Sequence, residues 1–207
     1  AEARRAFQEL RDPFAAKGLA ELLDTESNPA WKLIYIDTLA KLDSTLAVDA
    51  LIRGALEDDL ETIRDACVLE LEEHGKDRAV ARFTRGLASK DNVRVNRSAI
   101  GLGRLKDPSA ISPLIKALQT EHKFLVRTLG GGPGSISPTF GNDGSGGISV
   151  GGGGPKLIKR KIQNAQVLGA LLAMTEEGVN FRYDEQGWAD WYAQQRRPAV
   201  VNLRRDE

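Results

Sequence analysis

The sequence predicts an all-α chain built as an α-solenoid of about four helix pairs, with one β-hairpin inserted into the last pair. Three observations carry this. Apolar positions repeat at intervals close to 32 residues, turn and capping residues stand between the repeats, and the helical pattern breaks off in the fourth repeat at a glycine-rich stretch.

The first helix of each unit is the clearest signal. Ala15, Ala47, Ala79 and Ala110 open equivalent segments, followed at the same offsets by Leu19, Leu51, Phe83 and Leu114, and then by Leu23, Ala55, Leu87 and Leu118. Positions four apart lie on one face of a helix. A second helix follows, for which the sequence suggests Leu33, Ala66 and Ala99, then Ile36, Leu69 and Leu102, at intervals of 33. Asp12-Pro13, Asp43-Ser44, Gly75-Lys76-Asp77 and Asp107-Pro108 mark the boundaries, with Asp suited to the N-cap and Pro to the first helical position. Two short helices with one apolar stripe each cannot bury those stripes alone, so the units must stack.

The expected organisation is one solenoid domain over residues 1–207. It has a partial unit at 1–12, units at 13–42, 43–75 and 76–106, and a last unit at 107–176 interrupted by a hairpin at 122–162. An aromatic helix at 184–196 closes it. The segment "ARRAFQELRD" matches the end of a second helix whose first helix is missing, which predicts that the solenoid continues upstream of Ala1.

The segment "VRVNRSAIGLGRLKDPSAISPLIKAL", Val93 to Leu118, resembles a short bacterial HEAT-type repeat of the phycobilin-lyase-like kind. Its Val-Arg opening, the small residues Ser98 and Ala99, the Gly-Arg-Leu ending and the Asp-Pro start of the next unit carry the likeness, which extends over roughly residues 3 to 120. The hairpin, "NAQVLGALLAMT" and "NFRYDEQGWADWY" together resemble the C-terminal part of planctomycete-type HEAT-repeat proteins of uncharacterised function. The resemblance implies a right-handed solenoid. It specifies no activity, because such repeats serve scaffolds, chromophore lyases and DNA glycosylases alike.

The interruption spans Gly130 to Pro155, where 12 of 26 residues are glycine. "HKFLVRT" (122–128) and "KLIKRKI" (156–162) flank it and favour strand, predicting an antiparallel hairpin with a mobile Gly-rich tip. Helical periodicity returns at Asn164, with Val167, Leu168, Leu171 and Leu172 as the buried face of a delayed second helix. The tip carries apolar islands, "SISPTF" and "GISVG", so Ile136, Phe140, Ile148 and Val150 either fold back onto the solenoid or await a partner. Trp188, Trp191 and Tyr192, behind Asp184 as N-cap, read as a packing stripe at i, i+3 and i+4.

Composition narrows function. The 207-residue chain balances 29 Lys and Arg with 29 Asp and Glu, so any electrostatic attraction is local. Its single cysteine, Cys67, excludes an internal disulfide, and no apolar run has the roughly 18 residues of a membrane span. The chain reads as soluble, with the compartment open between cytoplasm and an exported location. "GGGGPK" lacks the Gly-Lys-Ser/Thr ending of a phosphate loop, and Pro155 removes a donor N–H. Cys67 and His74 have no third metal ligand; Cys67 aligns with Ile100, and His74 suits a helix C-terminus. Ser135, Ser137, Thr139 and Ser149 lack a nucleophile elbow, with only His122 as a base, and Asp58-Asp59 and Glu72-Glu73 read as solvated helix ends. No catalytic residue, cofactor, metal or small-molecule substrate is expected.

The hairpin is basic: between His122 and Ile162 six Lys or Arg face one acid, Asp143. The function expected is a protein-interaction scaffold whose partner is another protein. Its contact surface is the solenoid face and the hairpin residues Lys123, Arg127, Phe140, Lys156, Lys159, Arg160 and Lys161. Two other readings stay open. One is binding of nucleic acid or another polyanion through the same ribbon; the other is an enzyme or chromophore-handling protein by fold analogy. Lys and Arg also blunt an exposed strand edge against aggregation.

Overall fold

A computed structural model describes residues 2–42, 44–126, 136–140, 146–150 and 156–196. Two compact units emerge, residues 1–119 with 163–207, and residues 120–162.

The first unit holds ten α-helices among the described residues. They are α1 (Glu2–Glu9), α2 (Ala16–Thr25), α3 (Pro29–Ala40), α4 (Thr45–Glu57), α5 (Glu61–Glu73), α6 (Lys76–Gly86), α7 (Asn92–Leu105), α8 (Ile111–Ala117), α9 (Ala165–Met174) and α10 (Glu185–Gln195). Side-chain caps start three of them, α3, α7 and α10, at Asn28, Asp91 and Asp184, while Asp12 and Asp107 cap the short 3-10 turns Pro13–Ala15 and Pro108–Ala110 that lead into α2 and α8; each accepts a hydrogen bond from the backbone N–H two residues on. Asp43 lies outside the described residues, and Ser44 starts α4 without a side-chain cap bond. Gly75, at φ 112°, turns the chain between α5 and α6 in the left-handed region that glycine tolerates.

The helices stack in two rows. α1, α3, α5, α7 and α9 touch in series, as do α2, α4 and α6, and the rows join through the pairs α2·α3, α4·α5, α6·α7 and α8·α9. The first-helix alignment coincides with the core. Leu19, Leu51, Phe83 and Leu114 are buried, as are Leu23, Ala55, Leu87 and Leu118 and three of the four alanines. Ala15 is half-buried, and its neighbour Ala16 takes the core position. α1 packs on α3, with the Phe7 ring edge-on to Tyr35 at 5.3 Å.

The second helices depart from the sequence alignment. Leu33 is 45% exposed and Leu69 63%, where both were expected in the core. The buried sets are Tyr35, Ile36 and Leu39 on α3, Cys67, Val68 and Leu71 on α5, and Ser98, Ala99 and Leu102 on α7. Their intervals are 32 and 31, within the 31 to 32 residues that separate the first helices, so the expected interval of 33 was wrong. Aligning α5 two residues out of place rotates its stripe by about 200° on a helix of 3.6 residues per turn, which sends Leu69 to solvent. Cys67 therefore corresponds to Ser98, not Ile100. On α9, Val167, Ala170 and Leu171 are buried, whereas Leu172 is 38% exposed.

Close approach explains the small residues. A Cβ on Gly54 would lie 2.7 Å from Cys67 Sγ, and one on Gly86 would overlap Ser98 Oγ, at equivalent places in successive units. Between α7 and α9, a Cβ on Gly103 would lie 2.9 Å from Ala170 Cα. α9 fills the second-helix place of the last unit, against α7 and α8. Buried Asn164 holds the junction: its backbone N–H donates to Leu118 O at 2.9 Å, and its Nδ2 to Ala117 O at 2.8 Å. The end of α8 and the start of α9 are thus fastened together across the whole intervening insertion.

The final helix packs on α8. Trp188 is fully buried, donates from Nε1 to Arg182 O at 2.9 Å, and stands edge-on to Phe181 and Trp191. The aromatic stripe is a core element here, with Trp191 and Tyr192 half-buried beside it.

In the second unit, β1 (Gln119–Val126) pairs with β4 (Lys156–Gln163), and β2 (Ile136–Phe140) pairs antiparallel with β3 (Gly146–Val150). The outer strands begin or end a few residues beyond the expected runs. The apolar islands, expected either to fold back onto the solenoid or to await a partner, form the inner ribbon, Ile136 opposite Val150 and Phe140 opposite Gly146. Pro138, which has no N–H to donate, is tolerated because, among the described residues, neither strand has a second neighbour.

Two stability changes follow, both measurable by urea unfolding. Gly103→Ala is expected to cost about 1–3 kcal/mol through the α7–α9 contact, whereas Gly18→Ala in α2, where a Cβ meets nothing within 4 Å, is expected to gain up to about 1 kcal/mol of helix propensity. Asn164→Ala leaves the Ala117 carbonyl without its buried donor and is expected to cost about 1–3 kcal/mol while the protein still folds.

Candidate interaction surface

The ribbon carries its charge outward. Lys123 on β1 and Lys159, Arg160 and Lys161 on β4 are all exposed. Successive strand residues point to opposite faces, so the exposure of three in a row means that both faces of the ribbon meet solvent there. Lys156 begins β4 and Phe140 ends β2, while Arg127 lies outside the described residues. Lys159 is matched by an acid that the sequence count left out, Glu121, with Nζ 3.1 Å from Oε1. Counted over both outer strands, residues 119–163 hold six Lys or Arg and two acids. The pair is exposed on both sides, so it contributes little to stability and is easily exchanged for an external anion.

His122 is not a solvent-facing base. It is 4% exposed, and its Nε2 lies 2.7 Å from Thr120 Oγ1, on the same strand face. Cys67 is fully buried, and that burial pushes its thiol far above the ordinary range, so it is not a thiolate at neutral pH. His74 caps the C-terminus of α5, with Nε2 4.0 Å from Glu73. Among the described residues no three His, Cys, Asp or Glu side chains come together as a metal set.

The surface of the helical unit is organised by ion pairs between neighbouring units. Arg53 grips Asp24 through Nε and Nη2 at 3.1 and 2.7 Å, and Arg78 grips Asp49 in the same two-pronged way at 2.8 and 2.6 Å. These join α2 to α4 and α4 to α6, while Arg104 joins α7 to Asp65 of α5 at 2.7 Å. The turn after α4 draws further cations. Arg97 donates to Leu56 O at 2.8 Å, Arg64 donates to the carbonyls of Asp58 and Asp59, and Lys32 pairs with the Asp58 carboxylate. Sequence placed Asp58 on a solvated helix end; its side chain is 7% exposed and the Lys32 side chain 13%. A carboxylate so shielded is held in place by its cation and would be costly to leave alone.

No helix among the described residues is long and apolar enough to cross a membrane. Compared with known families, residues 96–120 match the model described as PBS lyase HEAT-like repeat. The match covers most of α7, the Asp107 turn and α8, so this part of the helical stack is similar to a HEAT-like repeat. No curated protein matches the chain.

The Arg78 hydrogen bonds hold the Asp49 carboxyl below the ordinary carboxylate range. A group whose folded pKa is depressed adds stability above its unfolded pKa and loses that stability as pH falls through the folded value. The stability difference between wild type and Asp49→Asn, from urea unfolding, is therefore expected to hold steady near neutrality and to shrink as pH falls below about 4. A difference that grew on acidification would contradict the pairing.

Proposed function

We propose that the protein is an interaction module that works by binding another protein, with no catalytic step of its own. HEAT-like repeats are commonly protein-interaction scaffolds, and the repeat match supports that role for the helical stack. In this reading the stack is a right-handed solenoid of four pairs whose insertion presents a contact surface, as insertions in repeat proteins do. The likeness of its C-terminal part to planctomycete-type bacterial proteins belongs to the same reading. Lys123, Arg127, Phe140, Lys156, Lys159, Arg160 and Lys161 are assigned to that contact. The single observation that carries it is the run Lys159, Arg160 and Lys161, all exposed on a ribbon inserted between two helices of one unit. The buried thiol of Cys67 and buried His122 support binding over catalysis, since neither is offered to a substrate.

The same three cations support a second reading, in which the ribbon binds nucleic acid or another polyanion. One set of variants separates the two. Affinity capture from a lysate of the source organism, with partners identified by mass spectrometry, is expected to lose a defined protein partner in K159A/R160A/K161A and to keep it after nuclease treatment. If capture depends on nucleic acid and falls steeply with salt, the polyanion reading replaces the first. If the triple variant captures the same partners as wild type, the ribbon is not the contact.

A further inference from the structure

The steepest charge asymmetry in the chain lies in the helical unit, outside the ribbon. Residues 57–73 hold eight Asp or Glu and one Lys or Arg, whereas residues 76–106 hold nine Lys or Arg and two acids. Several of those nine cations are engaged within the fold: Arg78 by Asp49, Arg104 by Asp65 and Arg97 by the Leu56 carbonyl. Arg82 and Arg85 are not engaged in this way. Both are exposed on α6, three residues apart, and neither makes an ion pair among the described residues; Arg85 donates only from Nε to Ala81 O. Arg94, on the first turn of α7, reaches Glu57 at a long 3.5 Å.

These three arginines line one cleft, with Gly86 and Ser89, of roughly 340 Å³. Its shape follows from the packing already described. Gly86 has no side chain because α7 approaches it at Ser98, which brings the first turn of α7 and Arg94 close to the end of α6. Like charges three residues apart on a helix, as Arg82 and Arg85 are, oppose its formation; the acids near the three arginines are Glu57, at the edge of hydrogen-bond reach of Arg94, and Asp49, whose carboxylate feels the charge of Arg82. A guanidinium presents a planar fork of donors that matches a carboxylate or phosphate through two parallel hydrogen bonds.

We propose that the Arg82–Arg85–Arg94 cleft between α6 and α7 docks an acidic peptide segment of a partner protein. This rests on the reading of the chain as an interaction module and adds a second, distinct contact surface to it. The occupant is a peptide rather than a nucleic acid for two reasons. The cleft is lined by no aromatic ring on which a base would stack. It also adjoins Glu57, beyond which Asp58, Asp59 and Glu61 begin the acidic segment, so a backbone with a phosphate at every step meets repulsion within a short distance. A peptide places carboxylates only where the arginines stand.

The test uses the whole chain and a fluorescein-labelled peptide in which a few spaced glutamates are separated by glycine and serine, followed by fluorescence anisotropy. Binding is expected at low salt and is expected to weaken as sodium chloride is added. R82A/R85A is expected to lose about tenfold or more in affinity, with an unchanged circular dichroism spectrum because both residues are exposed. R82K/R85K, which keeps the charge but not the fork, is expected to fall between the two. K159A/R160A/K161A is expected to bind as wild type does. Failure of the peptide to bind at low salt, or equal affinity in R82A/R85A and wild type, overturns the proposal. So does loss of binding in the ribbon variant alone, an outcome that leaves the ribbon reading standing. Tighter binding of oligo-dT than of the peptide, abolished in R82A/R85A, assigns the cleft to nucleic acid instead.

Discussion

The structure rests on one constraint: a helix of seven to fourteen residues with a single apolar stripe cannot keep that stripe dry by itself. Each helix must find one partner in its own pair and another in the next unit, and the spacing of the two rows then sets which residues are allowed between them. Where α4 meets α5 and α6 meets α7, one helix gives a glycine and the other a cysteine or serine, because a larger pair would hold the backbones apart. Interiors packed to this density do not yield to an added methylene without shifting a neighbour. The Phe83 ring over Gly101 is the same compromise with the bulk on one side only. Specificity of stacking comes from these contacts, since Leu against Leu is satisfied by many registers.

Ion pairs add a second layer of register at the surface. Arg53 with Asp24 and Arg78 with Asp49 both span 29 residues, each tying a first helix to the first helix of the following unit. Exposed pairs of this kind fix orientation more than they add stability. Lys32 and Asp58 are different, because water is largely kept from both, and their attraction must offset two desolvation costs. Around that turn, arginines from α5 and α7 bind carbonyl oxygens left over at the end of α4. The C-terminus of a helix, where partial negative charge gathers, is thereby closed by cations from two later helices.

How much of this was legible from residues alone varied with the kind of signal. First helices could be aligned because a boundary marker, Asp-Pro or Gly-Lys-Asp, stood directly before them and fixed their phase. Second helices had no such anchor, and α5 offers Ala66 and Leu69 as an apolar stripe as plausible as Cys67, Val68 and Leu71; only contact with Gly54 distinguishes them. The paired outer strands were visible as β-branched runs, and the exposure of Lys159, Arg160 and Lys161 followed from their charge. The Glu121 partner of Lys159 sat one residue outside the counted window. The arginine cleft was hidden for a deeper reason. Its members are spread over α6 and α7 among cations that the fold uses internally, so which of them face a common space depends on pairings that the chain order does not reveal.

Asn164 gives the insertion a particular status. Since its two hydrogen bonds fix where the chain leaves α8 and where it re-enters at α9, the helical stack is indifferent to what lies between those points, provided the ends meet. Closing a longer loop costs slowly growing entropy, about 0.6 kcal/mol for each doubling of length. The junction is therefore a socket: a place where segments of different length and chemistry can be exchanged over evolutionary time while the core that holds them stays the same.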